Sequence, residues 1–143
     1  MNAKDFLNEL DDTRVVDAIA RGESQTSGEI RVFVDHLNPP SVLSEAARQF
    51  ERMGMTKTRE RNGVLIYFAP LARRFAVLGD EGVHAKCGQD FWEGVTDEMS
   101  ASLKSGKFTE AIIHAVEKIG EVLAKHFPRR PDDTDELPNE IGR

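Results

Sequence analysis

The sequence contains one cysteine, Cys87, and that count removes two classes of site at once. No intramolecular disulfide can form and no zinc site can be built on several cysteines, so the chain is compatible with a reducing compartment. Long apolar runs are missing too. Lys4, Asp5, Glu9, Asp11, Asp12, Arg14 and Asp17 interrupt the first twenty residues, where a leader or a membrane span needs an unbroken apolar stretch. As it stands the sequence reads as cytoplasmic, without a transmembrane segment. Removal of a leader would make the protein periplasmic or membrane-associated instead.

Positive charge is scarce as well. The 19 basic residues are outnumbered by 25 acidic ones, giving a formal net charge of -6. Binding to a phosphate backbone needs a basic face, so nucleic acid is not an expected partner. No Gly-x-Ser-x-Gly elbow and no Walker-type loop occur, which removes a serine hydrolase of that kind and a P-loop nucleotidase, and no nucleotide cofactor is expected. His36, His84, His114 and His126 lack ligand spacing, so zinc is not expected either.

What is present is an ordinary water-soluble composition, 39% hydrophobic and 31% charged over 143 residues, enough for one core. No internal repeat is seen. Phe6, Leu7 and Leu10, then Val15, Val16, Ile19 and Ala20 behind Asp11-Asp12-Thr13, predict one broken or two short helices ending at Gly22. The alternation in Glu29 to Asp35 predicts a strand, and Leu43, Ala46, Ala47, Phe50 and Met53 predict a helix over 41–53 that Gly54 stops. Gly63 to Ala69 is almost continuously apolar, as in an inner strand covered on both faces. After the short link Pro70–Arg73, Arg74 to Leu78 resumes as a strand, and so short a link implies an antiparallel hairpin. Two helices follow, one carrying Phe91, Trp92, Val95, Met99 and Leu103, the other running from Phe108 to Phe127. The domain is expected to occupy 1–128. The Pro- and acid-rich stretch 129–143 is expected to be a disordered tail.

A strand that reaches the next one through a helix lies parallel to it. Strand 29–35 and strand 63–69 therefore start at one edge of the sheet, and the hairpin partner 74–78 ends there. Thr26 to Glu29, Arg61 to Gly63, and Gly79 to Gly82 are expected to converge. That edge carries the carboxylates of Glu29, Asp80 and Glu81, with Glu23 nearby, the hydroxyls of Thr26 and Ser27, and the amide of Asn62; Gly63, Gly79 and Gly82 shape its loops. Hard cations such as calcium and magnesium take several oxygen ligands from loops, and this set supplies them. The structural alternative for the same residues is that the glycines make turns, Asp80 caps the helix or turn that follows, and Glu29 is a solvated strand-end charge. Elsewhere, Cys87 reads as a half-buried thiol and Trp92 as core. Arg73 and Arg74 at the hairpin tip, with Arg59 and Arg61 before the second strand, read by default as a solvated hairpin, the alternative being a site for an anion or an acidic lipid.

In order, TSGEIRV from Thr26, RNGVLIY from Arg61, GDEGV from Gly79 and the pair Phe91-Trp92 resemble the TPM domain family over roughly Asp12 to Pro128. That resemblance implies a three-layer α/β/α sandwich, Rossmann-like but without a dinucleotide site, with a parallel β-α-β unit and an antiparallel hairpin in a small mixed sheet. It also implies a divalent-cation site beside acidic loops, at matching positions Glu29, Asn62 and Asp80. Plant members are described as acid phosphatases, and bacterial ones are often membrane-attached or exported. The chain departs from the pattern at Arg61, where many relatives carry an acidic residue, and it shows neither leader nor anchor. The expectation is a monomeric module that binds calcium or magnesium and a protein partner. The alternative is a metal-assisted phosphomonoesterase, with Asp80 as ligand and Glu29 or Glu81 as general base.

Overall fold

β2, Gly63–Ala69, is the axis of the protein because all seven of its residues are buried, as its unbroken apolar sequence predicts. The computed structural model describes residues 1–129 and 141–142. β1, Glu29–Val34, lies parallel to β2, and β3, Arg74–Gly79, lies antiparallel on its other side, giving the order β1-β2-β3. The helices are α1 (Ala3–Glu9), α2 (Asp12–Glu23), α3 (Val42–Arg52), α4 (Glu81–Cys87), α5 (Gln89–Lys104) and α6 (Phe108–His126). None of these helices is long and apolar enough to cross a membrane.

The helix ends follow from local chemistry. Asn2, Asp11, Ser41 and Asp80 each accept an amide of the first turn of the helix they cap. Gly54 stops the chain after α3 in the left-handed conformation, at φ 74°. Gly22, by contrast, does not end α2 but lies inside its last turn. It is needed there for packing: a Cβ on Gly120 of α6 would stand 2.9 Å from the Gly22 Cα, so the two helices cross with backbone against backbone.

One face of the sheet carries Ile30, Val32, Val34, Val64, Ile66 and Phe68 and packs against residues of α1, α2, α5 and α6. The other carries Leu65, Tyr67, Ala69 and Ala76 and is covered by Val42, Ala46 and Phe50 of α3 together with Met55. These are the three layers of an α/β/α sandwich, in a mixed sheet with the expected strand directions. Most of the tail, 130–140 and 143, lies outside the described residues. Of the rest, Ile141 is buried and Gly142 pairs alongside Phe33, exchanging hydrogen bonds with Val32 and Val34 at 2.7 and 2.9 Å. The outer edge of β1 is thereby covered at that point, which removes unpaired strand groups that could template aggregation.

Candidate functional site

The strand register decides what meets at the amino ends of β1 and β2. Glu29 stands opposite Gly63, and Gly79 stands opposite Val64, so the three expected loops come together. Two backbone hydrogen bonds tie them: the Asp80 amide donates to the Gly63 carbonyl and the Gly82 amide to the Arg61 carbonyl, each at 2.9 Å. Gly82 is dictated by this approach. A Cβ there would lie 2.3 Å from the Glu60 carbonyl oxygen and 2.7 Å from that of Arg61, both backbone atoms that cannot swing aside.

The side chains at this edge form two groups. In the first, Arg61 donates from Nε to one oxygen of Asp80 at 2.7 Å and from a terminal nitrogen to the other at 2.9 Å, while its second terminal nitrogen reaches Glu81 at 3.3 Å. This is a bidentate, charge-assisted pair, and its hydrogen bonds to buried Asp80 push the guanidinium above its ordinary value. Arg61 holds a left-handed backbone, φ 51°, which an arginine seldom adopts. Asp80 also accepts the Glu81 amide, which is the capping role of the structural alternative.

In the second group, the Ser27 hydroxyl donates to Glu60 at 2.5 Å, and the Asn62 amide nitrogen donates to Ser27 Oγ at 3.1 Å and to Glu60 at 3.4 Å. Asn62 is buried, with its own backbone amide on the Thr58 hydroxyl. Glu29 is buried next to this group rather than solvated. Thr26 is structural, since its hydroxyl donates to the Phe127 carbonyl and accepts the Gly28 amide, fastening the end of α6 to the start of β1. Glu23 likewise accepts the Ile30 amide at 2.8 Å. Gly63 and Gly79 are packing positions, since a Cβ at Gly79 would meet the Trp92 ring at 2.9 Å and one at Gly63 the Met55 carbonyl at 3.2 Å.

Sequence reasoning overlooked Glu60 and treated Arg61 as a solvated or anion-binding charge. Glu60 was legible only as a polar residue two places before Asn62. Arg61 gave a signal in being the departure from the family pattern, but its pairing with Asp80 depends on the turn. His84 is exposed, its ring 6.1 Å from that of buried Trp92, and takes no part in either oxygen group. Burial pushes the Cys87 thiol up against the opposing charge of Lys86, as suits a thiol without a reactive role.

The donor chemistry of this edge, carboxylate, amide and hydroxyl oxygens on converging loops, fits a hard cation. The arrangement fits it less well. Among the described residues no group of three His, Cys, Asp or Glu side chains is placed to hold a metal, and both Asp80 oxygens already face a guanidinium. Asp80 thus takes positive charge, but from within the chain.

Comparison with known proteins agrees with the architecture. The TPM domain family model matches residues 1–122. The NMR structure of BA42 protein from the psychrophilic bacterium Bizionia argentinensis superimposes with a TM-score of 0.85 at 38% identity, over 92% of this chain and 90% of that one. No curated protein matches. A family model spanning most of the chain, and a solved relative of this identity sharing nearly its whole length, show that the protein belongs to the TPM domain family.

Proposed function

We propose that this TPM domain is a binding module whose loop edge takes a divalent cation, calcium or magnesium, and presents the occupied edge to a protein partner. The observation that supports it is the Asp80–Arg61 pair: a buried carboxylate at the meeting point of three loops directs both oxygens at a positive charge. Arg61 is 39% exposed, on a long side chain rooted in an unfavourable backbone conformation, so it is the part of the pair that can leave. An incoming cation competes with it for Asp80. Glu81, Glu29 and the Asn62 carbonyl oxygen are the further donors that the loops supply, and calcium completes its shell with backbone carbonyls and water. The hydrolytic alternative draws less support. It asks for more of the same groups, since Glu29 or Glu81, already counted as a donor to the cation, would have to serve as general base as well.

Amide chemical shifts recorded during calcium and magnesium titrations, on the natural chain and on Arg61→Ala, test this reading. Saturable shifts confined to 26–29, 60–63 and 79–82 are expected, with tighter binding in Arg61→Ala and none in Asp80→Asn. Absence of localised shifts in both the natural chain and Arg61→Ala sinks the proposal. Steady hydrolysis of p-nitrophenyl phosphate that disappears in Asp80→Asn would turn the conclusion to the enzymatic alternative.

A further inference from the structure

The opposite end of the sheet holds a second site with different chemistry. There, at the carboxyl end of β2 and the start of β3, a cavity of about 460 Å³ opens to the surface. Its walls are aromatic: the Phe6 ring lies 5.1 Å from both Phe68 and Phe108, and Phe68 lies 6.1 Å from Phe75; Phe6 and Phe68 are buried beneath, while half-buried Phe75, Phe108 and Leu103 form the accessible apolar wall. Every polar side chain in the lining is cationic. These are Arg73, Arg74 and Lys104, all exposed at the rim. In a chain of net charge -6 such a group is not the product of bulk composition.

The backbone brings the two arginines to the same place. Arg73 ends the short turn Pro70–Ala72 in the left-handed conformation, φ 53°, with its amide on the Pro70 carbonyl at 3.0 Å. That residue interrupts the alternation by which successive strand side chains point to opposite faces, so Arg73 and Arg74 both line the groove. A non-glycine residue held at positive φ is a feature that clusters at ligand clamps. The volume lies within the range of about 300–1,000 Å³ of small-molecule sites, whose walls are mainly apolar with a few placed polar groups. Open α/β sheets also bind ligands beyond the carboxyl ends of their parallel strands, which is this end and not the loop edge.

We infer that this groove binds a single-chain amphipathic acid, with its hydrocarbon body along Phe75, Phe108 and Leu103 above the buried Phe6 and Phe68, and its carboxylate between Arg73, Arg74 and Lys104. The apolar wall explains the body and the wholly cationic rim explains the sign of the head. The site is independent of the loop edge and needs no metal.

The test is an amide-shift titration of the full chain with dodecanoate below its micellar concentration, beside dodecyltrimethylammonium, which has the same tail and the opposite charge. Dodecanoate is expected to give saturable shifts in 3–9, 68–75 and 103–108, and the cationic amphiphile to bind more weakly. The triple variant Arg73→Gln, Arg74→Gln, Lys104→Gln changes only exposed side chains and should keep the native spectrum. Its affinity for dodecanoate should fall by roughly tenfold, the combined effect of three rim charges. Acetate should produce no saturable shift, because it lacks the body. Equal binding of the two amphiphiles, an unchanged affinity in the triple variant, or dodecanoate shifts outside these segments would each overturn the inference. So would binding to anionic phosphatidylglycerol vesicles without binding to monomeric dodecanoate, which identifies a membrane surface instead. Ligand-free shifts of the groove amides on dilution, the mark of a second copy seated there, would overturn it as well.

Discussion

The two ends of the sheet solve opposite problems. At the amino ends of β1 and β2 the polar side chains bond to one another, Arg61 with Asp80 and Glu81, Ser27 with Glu60 and Asn62, and the backbones pack so closely that Gly82 has no room for a side chain. At the other end aromatic rings leave a cavity, and the charges around it share one sign. Internal pairing and close backbone packing hold the first end tightly, although its carboxylates, Asp80, Glu81, Glu60 and Glu29, outnumber Arg61. A cation there must displace a resident partner, whereas an anion at the second end meets an open apolar surface and no competitor of like charge in the lining. The richer cluster of chemistry-bearing residues is therefore not automatically the more available one.

Substitutions at each end sharpen this contrast. The largest loss of stability is expected for Phe68→Ala at the groove, about 4 kcal/mol in urea unfolding, because a ring that is 2% exposed and touches Phe6 and Phe75 leaves a hole that neighbours refill only in part. A loss under about 1 kcal/mol would mean that the aromatic wall is already loose. Gly82→Ala at the loop edge should follow, at roughly 2–3 kcal/mol, through overpacking against the Glu60 and Arg61 carbonyls. If it proved neutral, the loops would be free to spread and the rigidity ascribed to that end would be wrong.

The smallest effect concerns Tyr67, on the α3 face, whose phenol donates to buried Asp35 at 2.5 Å. Burial first, then this hydrogen bond, holds the phenol well above its ordinary range. In the unfolded chain it ionises near pH 10, as free phenols do. Its contribution is therefore fully present below about pH 10 and is lost as the pH rises from there toward the folded value. Tyr67→Phe should cost about 1 kcal/mol at neutral pH and should flatten the alkaline decline relative to the natural chain. Tyr67 is the one tyrosine, so phenolate absorbance during alkaline titration reports it alone. Ionisation near pH 10 with the fold intact would contradict the buried pair.

Much of the scaffold was legible because it rests on short-range rules. Gly63 to Ala69 could be read as the inner strand from its apolar run, and α3 from the helical spacing of Leu43, Ala46, Ala47, Phe50 and Met53 with Gly54 as its stop. The convergence of the three loops followed from strand direction alone. Gly22 was misread because a glycine near a helix end looks like a stop, while here it admits the crossing of α6. Glu29 was expected in solvent as an alternative, but the closeness of the β1–β2 loop ends buries it.

The sequence by itself determined which segments are helix and strand, the direction of each strand, and the oxygen-rich composition of one edge, because side-chain periodicity and turn chemistry act over a few residues. Only the tertiary structure decided which charges pair and where space is left. Arg61 meets Asp80 across 19 positions, and the groove joins Phe6, Phe68, Phe75 and Phe108 from distant parts of the chain. Each of those rings reads locally as core, and a cavity exists only in the way separate elements fail to fill the space between them.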